Sequence, residues 1–463
     1  MQAKPGMLIP LDCLTEVFFC ARDRSGLGHR SRVVIKLSWV CHSWRDVIRG
    51  NPNFWNVIDV SGLHWLGEFL TRSKKSPLSI FLEGEWIKKV QVQITPLLIP
   101  HLGRIWALRM QPQLPGRTVI GLSNGPEIWQ APALRTIYLS QFSLPFNAFH
   151  SQGLKHVSLH RCQFDWSSAI FSPSLTSLKI WDPPSSVNIP HLLQLLDGLP
   201  ALKQLLMSEV VCSSTSRSAV GPWSVTRPRV KLPSLVSIEL AERDPSILEA
   251  ILSSLDLSRV VDTQIAVCSL NDLDRLIRTT LASVSSFYIR EFQMTVLSMR
   301  SKLVLRSHSP SKSVTFTWEC KDCERLIWRV YEFVPVHQAV TIGLDYIDEY
   351  YSTSWLDSQT VLAGLPFLEQ LSLMNGAALD FFDTLPTLSG SFDSVRHWIF
   401  ELRVGEFQVD QVPDRPSTDV LKLCKLYPVK ADRSVGFKGT WWALEEEEIK
   451  RLASAGWNVW QDC

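Results

Sequence analysis

Nowhere does the 463-residue chain hold about 18 uninterrupted apolar residues, the length a bilayer-crossing helix needs. It also lacks an excess of either charge. Its 47 Lys and Arg stand against 45 Asp and Glu, a net charge of +2, which excludes a globally basic nucleic-acid binder. Cysteine pairing is missing as well: the 10 Cys are scattered singly, as reduced thiols are, which points to the cytoplasm and/or nucleus. The apolar run at 8–21 is broken by Asp12 and Glu16 and is followed by no small-residue cleavage site, so no secretory signal is expected. There is no P-loop, no G-x-G-x-x-G and no distinctive carboxylate pair, so neither cofactor nor catalytic chemistry is expected. What remains is 45% hydrophobic and 20% charged, enough to bury a core over most of the length.

The charge is unevenly placed. Residues 1–90 hold 13 basic and 8 acidic residues, leaving 34 against 37 for the rest, as two parts with different tasks would. Pro10 suits the first turn of a helix, where its missing N–H costs nothing. Leu11, Leu14, Val17 and Phe18 then recur at helical spacing. A polar stretch from Arg22 to Arg32 carries Gly26 and Gly28. Periodicity resumes over Leu37, Val40, Cys41, Trp44, Val47 and Ile48 and stops at Gly50 before Pro52.

The segments "LIPLDCLTEVF", "LSWVCHSWRDVI" and "NPNFW" resemble an F-box, the short helical module that docks a Skp-family adaptor. The likeness is closest to the F-box-like proteins of mushroom-forming fungi, which often carry a polar insertion between the helices. It implies an F-box-like module over 5–60 whose adaptor-binding residues are Pro10, Leu11, Leu14, Val17, Val40 and Trp44, with a cullin reached through the adaptor. A module this small leaves apolar residues over for a partner. The alternative is a helical cap in which Leu11 and Leu14 are core. Residues 61–76 read as a linking helix and a basic loop with Arg72, Lys74 and Lys75, solvated rather than bound.

Beyond residue 77 the chain repeats itself. "GLPALKQLLM" from Gly198 and "GLPFLEQLSL" from Gly364 are near duplicates. "PALRTIYL" from Pro132, "PSLTSLKI" from Pro173 and "PSLVSIEL" from Pro233 share their core, and "LKHVSL" from Leu154 fits without the Pro. Weaker copies start at Ile105, Val284, Ala339 and Val395. The last two apolar positions alternate with polar ones, as in a strand buried on one face, and the leading Leu enters the core from the turn before it. Helices precede some copies: one starts at Pro190 and stops at Gly198, and another, "WLDSQTVLAGLP", stops at Gly364. This pattern is similar to degenerate leucine-rich repeats.

The expected fold class is therefore α/β: a small helical module, then an irregular repeat solenoid over 77–440, with a parallel sheet on its concave side and helices and loops on its convex side. The leading Leu residues, 134, 154, 175, 202 and 235, are spaced by 20, 21, 27 and 33, so the repeats are irregular. The regular family has Asn or Cys three positions after the last apolar residue, and only Cys162 stands there. A single α/β domain with chance matches is the alternative, and residues 245–345 resist phasing. Residues 212–231, rich in Ser, read as a loop excursion. Residues 441–463 read as a capping helix with Glu445 to Glu448 near its N-terminal end, shielding the last edge.

Three motifs carry little. "GLSNG" from Gly121 matches G-x-S-x-G, but Pro126 and Pro132 leave no room for the helix a nucleophile at Ser123 requires. Cys320 and Cys323 form one C-x-x-C without a second ligand pair, and His156 and His160 lack a third ligand. No metal is expected. The outward strand positions are the better candidates: Tyr138, His156, His160, Lys179, Trp181, Glu239, Tyr288 and Arg290, of the types that recognition surfaces use. The reading is a non-catalytic substrate receptor of an SCF-type E3 ubiquitin ligase, with no nucleic acid and no membrane as partner. The second reading is an interaction scaffold whose helical segment only caps the repeats.

Overall fold

Leu134, Leu175 and Leu202 each donate their backbone N–H three residues back, to Ala131, Ser172 and Leu199, and close a tight turn ahead of a strand. The chain then straightens, because only an extended backbone sends alternating apolar and polar residues to opposite faces. In the computed structural model this arrangement recurs in two compact parts: Met1–Ala219 with Val230–Leu235, and Val220–Arg229 with Val236–Cys463. The structure describes residues 10–26, 28–112, 120–121, 128–144, 147–211, 229–267, 273–284, 289–296, 301–307, 312–318, 334, 339–346, 365, 367–375, 395–401, 434–438, 446–454 and 458–462. The fold is mixed α/β with a large, mostly parallel β-structure.

The first part opens with three helices, α1 (Leu11–Arg24), α2 (Arg30–Val40) and α3 (His42–Gly50). Pro10 precedes α1 rather than lying in its first turn, and its carbonyl accepts from the Leu14 N–H. The expected polar break from Arg22 to Arg32 narrows to 25–29, because both flanking helices extend into it. Next come β1 (Val57–Ile58), α4 (Leu63–Arg72), β2 (Leu78–Glu83), α5 (Trp86–Leu98) and β3 (Ile105–Gln111). The series continues with β4 (Thr136–Ser140), β5 (His156–His160), β6 (Ser177–Trp181), α6 (Ile189–Asp197) and β7 (Gln204–Ser208). Helix α6 has the expected limits: the Asn188 side chain accepts from the His191 N–H, Pro190 lies in the first turn and Gly198 ends it.

Strands β1 to β7 pair in chain order, all parallel. Because β1 pairs with β2, the sheet reaches back into the helical module across the expected linker at 61–76. The register lines up Leu108, Ile137, Val157, Leu178 and Leu205 in one buried row and Met110, Leu139, Leu159, Ile180 and Met207 in the next. Past the strands, Gly84, Gln141, Arg161, Asp182 and Glu209 all take positive φ. A left-handed non-glycine residue costs about 1–2 kcal/mol. At Gln141, Arg161 and Asp182 the turn sends the backbone N–H to the next strand, at His160, Trp181 and Ser208. Immediately after, buried Cys162 donates its Sγ–H to the Leu139 carbonyl, while buried Phe142 and Val210 fill the same slot in their own repeats.

The second part contains β8 (Ser237–Glu242), α7 (Pro245–Ser254), β9 (Asp262–Val267), α8 (Leu273–Ser283), β10 (Ile289–Val296), β11 (Ser301–Ser307) and β12 (Ser313–Trp318). It goes on through β13 (Thr341–Tyr346), β14 (Gln370–Asn375), β15 (His397–Glu401), β16 (Ser434–Lys438), α9 (Glu446–Ser454) and β17 (Asn458–Asp462). The same backbone device starts strands in both parts. One carbonyl takes two consecutive N–H groups, Arg135 from Lys155 and His156, and Val236 from Val261 and Asp262.

The expected all-parallel sheet is interrupted here. β8 pairs with β9 and β9 with β12 in parallel; β12, β11 and β10 form an antiparallel meander; and β10 returns to parallel pairing with β13. Links of only four and five residues, 297–300 and 308–312, allow hairpins but no crossover. The meander accounts for the unphased region. At β9 the strand places a buried Thr263 in the row of Ile238, so its pattern lacks one apolar mark. The copy at Val284 is also out of phase, since Phe292 and Met294 stand opposite Ile342 and Leu344. From β13 to β17 every pairing is parallel.

Residues 441–463, expected as a cap, contain a helix and then a strand, β17, that adds to the sheet; alternation over Asn458–Asp462 suits it. Residues 212–228 of the expected loop excursion and the helix expected before Gly364 lie outside the described residues. Among the described residues no helix is long and apolar enough to cross a membrane.

Candidate functional site: an exposed helical end and an open sheet face

The helical module is built on aromatic contacts. Buried Phe18 meets Trp44 edge-on at 4.7 Å and Phe54 at 6.2 Å, and Phe19 stacks on Phe54 at 4.2 Å. Trp55, also buried, donates Nε1–H to the Ile48 carbonyl and lies against Phe69 at 4.9 Å. The Arg72 guanidinium covers the Trp55 ring at 4.4 Å and ties α4 to the module.

Asp59 holds α2 from outside. One carboxylate oxygen accepts from the N–H of Gly28 (3.1 Å) and Arg30 (2.7 Å), the other from Ser31 (2.6 Å), and the Ser31 hydroxyl accepts from the Asp59 N–H (3.0 Å). The residue is buried, so this is a helix cap supplied by a segment almost thirty positions away. Nearby, Arg22 at the C-terminal end of α1 donates to the Asn53 carbonyl at 2.6 Å. Both helices are thus anchored at the same end and run outward for about 20 Å and 16 Å at the usual rise.

At the outer end, and midway along α1 at Val17, apolar side chains are left over. Leu11 is 64% exposed, Val17 56%, Trp39 65% and Val40 59%. Of the residues expected to meet an adaptor, Pro10, Leu11, Val17 and Val40 are exposed and Leu14 is half-buried. Trp44 is different: it is half-buried against Phe18, within the module. Trp39 escaped sequence reading. Its signal was a surplus, since Val33, Val34, Ile35, Leu37, Trp39 and Val40 are more apolar residues than one stripe of α2 can bury.

The second candidate surface is the face of β2 to β7 opposite the buried rows. Its central row is Phe81, Arg109, Tyr138, Ser158, Lys179 and Leu206. Arg109 pairs with Glu83 at 2.9 Å and lies over the Tyr138 ring at 4.6 Å. The outer row brings Ser140, His160, Trp181 and Ser208 together. The Ser140 hydroxyl lies 3.0 Å from His160 Nδ1, and Trp181 stands edge-on to that ring at 6.5 Å. Burial, then repulsion from Arg161, pushes the His160 pKa below its ordinary value, against an opposing pull from Asp182.

Tyr138, His156, His160, Lys179 and Trp181 therefore share one face of three adjacent strands, as expected. His156 is exposed in the first row, four residues and about 13 Å along the strand from His160, too far for one ion. Among the described residues no three His, Cys, Asp or Glu side chains group to hold a metal. Glu239 is half-buried on β8 of the second part, opposite Gln264. Arg290 is exposed at the start of β10, beside a register shift and outside the central row of Gln293 and Gly343. Tyr288, Ser123, Cys320 and Cys323 lie outside the described residues. Compared with known proteins, the chain matches no family model and no curated sequence.

Proposed function

We propose that this chain is the substrate receptor of an SCF-type E3 ubiquitin ligase, an F-box-like module followed by an irregular leucine-rich-repeat solenoid. Helices α1 and α2 dock a Skp-family adaptor and, through it, a cullin, while the open sheet face holds a target protein. The chain makes and breaks no bonds itself; it tethers the target and so raises its effective concentration at the ubiquitin-charged enzyme. The observation that carries this reading is the exposure of Leu11, Val17, Trp39 and Val40 on a module whose aromatic interior is already filled. Leaving that much apolar surface in water is unfavourable unless a partner covers it. The exposed thiols of Cys13, Cys20 and Cys41 suit a reducing compartment, cytoplasm or nucleus.

The full chain, co-expressed with a Skp-family adaptor, is expected to retain it on affinity capture. Leu11→Asp with Val17→Asp is expected to lower capture at least tenfold without changing the circular dichroism spectrum, since both side chains are exposed. Failure of the unmutated chain to hold any adaptor sinks the proposal. In that case the scaffold reading stands, in which the segment caps the repeats through the β1–β2 ladder.

A further inference from the structure

The near-neutral composition conceals a segregation of charge that only the register exposes. Strands β3 to β7 contain no Asp or Glu, whereas β8, β9, β10, β13, β15 and β17 of the second part each carry at least one. Within β3 to β7 the charged side chains are Arg109 and Lys179, with His156 and His160 beside them. Arg109 is already matched by Glu83. Lys179, in the centre of the face, has no ion-pair partner among the described residues, and neither does exposed Lys203, just before β7. Arg135, just before β4, spends its guanidinium on the Gly153 carbonyl, which leaves its charge unmatched. Half-exposed Tyr138 stands in the row of Lys179, and half-exposed Trp181 two residues further along the same strand, on the side away from Arg135 and Lys203; both supply apolar surface.

We infer that the face of β3 to β7 binds an acidic segment of a partner protein, with carboxylates on Lys179, Lys203 and Arg135 and an apolar side chain between Tyr138 and Trp181. The inference rests on the reading of this face as the target surface and adds the chemistry of the target. The five strands span about 19 Å, which roughly six extended residues cross. A peptide suits the face better than a nucleic acid. Its unmatched cations are few and separated by uncharged rows, whereas single-stranded nucleic acid needs a continuous basic track with rings free for stacking, and Trp181 is already engaged by His160.

The test is fluorescence anisotropy on the full chain at low salt, with a labelled peptide of roughly ten residues alternating Glu with Leu and Phe. Saturable binding that weakens as salt rises is expected. Lys179→Glu with Lys203→Glu is expected to weaken it about tenfold, and Arg259→Glu with Lys302→Glu, the same change of net charge placed in the second part, less than twofold. Circular dichroism of both variants checks folding. No binding by the unmutated chain, equal loss in the two variants, or better competition by a single-stranded oligonucleotide of equal charge would overturn the inference. Adaptor capture depends on α1 and α2, so its failure leaves this measurement standing, and failure here leaves adaptor capture standing.

Discussion

The cap that Asp59 places on α2 is open to a direct test. Asp59→Ala leaves the N–H groups of Gly28, Arg30 and Ser31 without their acceptor, at a site where the residue is only 7% exposed. Losing a helix cap costs about 0.5–2 kcal/mol, and hydrogen bonds to a charged group contribute about 1.5–3 kcal/mol each, partly recovered when water enters. A net loss of about 3 kcal/mol in the local stability of α2 follows, equivalent to roughly a hundredfold faster amide exchange. Hydrogen exchange read by mass spectrometry resolves this by segment. Exchange over 28–40 is expected to rise by about that factor, while 137–180 keeps its protection. Asp59→Asn retains one acceptor oxygen but no charge, and is expected to lie between, near tenfold. Because Trp39 and Val40 end α2, adaptor capture is expected to fall in the same order. Unchanged exchange over 28–40 in both variants, or a uniform rise across the first part of the chain, would refute the reasoning.

Other expectations are simpler. Arg104 donates to the Leu70 and Ser76 carbonyls and the Ser73 hydroxyl, closing the C-terminal end of α4, so Arg104→Ala is expected to destabilise by about 2 kcal/mol in denaturant unfolding, and Arg104→Lys to recover only part. Burial raises the Cys162 thiol to about 12, so at pH 8 iodoacetamide is expected to label Cys13, Cys20 and Cys41 in the folded chain but not Cys162, as read by peptide mass spectrometry. The depressed pKa of His160 means that the unfolded chain binds the proton more readily. Its contribution is present above the ordinary histidine value of about 6.5 and is lost as pH falls below it. His160→Gln is expected to flatten the fall of the unfolding midpoint between pH 7.5 and 5.5, and an unchanged slope would remove His160 from that account. Leu175, fully buried at the head of its strand, is expected to cost about 2–5 kcal/mol when replaced by Ala.

The legible part of the fold was local. A leading Leu three residues past its turn partner, followed by two alternating apolar positions, marks a strand wherever it occurs, and Leu134, Leu154, Leu175, Leu202 and Leu368 are all buried as that pattern requires. Where tertiary context tolerated a substitute, the pattern dimmed: Thr263 occupies an inward position with a side chain that reads as polar. The meander of β10 to β12 was missed for another reason. β12 alternates properly, whereas β11 buries Leu303, Val304 and Leu305 in succession, and periodicity carries no information about whether a neighbour runs parallel or antiparallel.

The surfaces divide in the same way. Absence of a bilayer-length run and of any phosphate-binding loop could be read directly, since these depend on consecutive residues. So could the apolar surplus of α1, because helical spacing fixes which side chains share a face. Three things required the folded chain: that Trp44 packs inward on Phe18 while Trp39 stays outside, that Asp59 caps a helix distant in sequence, and that no carboxylate falls on β3 to β7. Each depends on which remote segments become neighbours. Composition by itself showed balanced charge and no one-signed excess; the parallel register decided that the balance is not kept on every face.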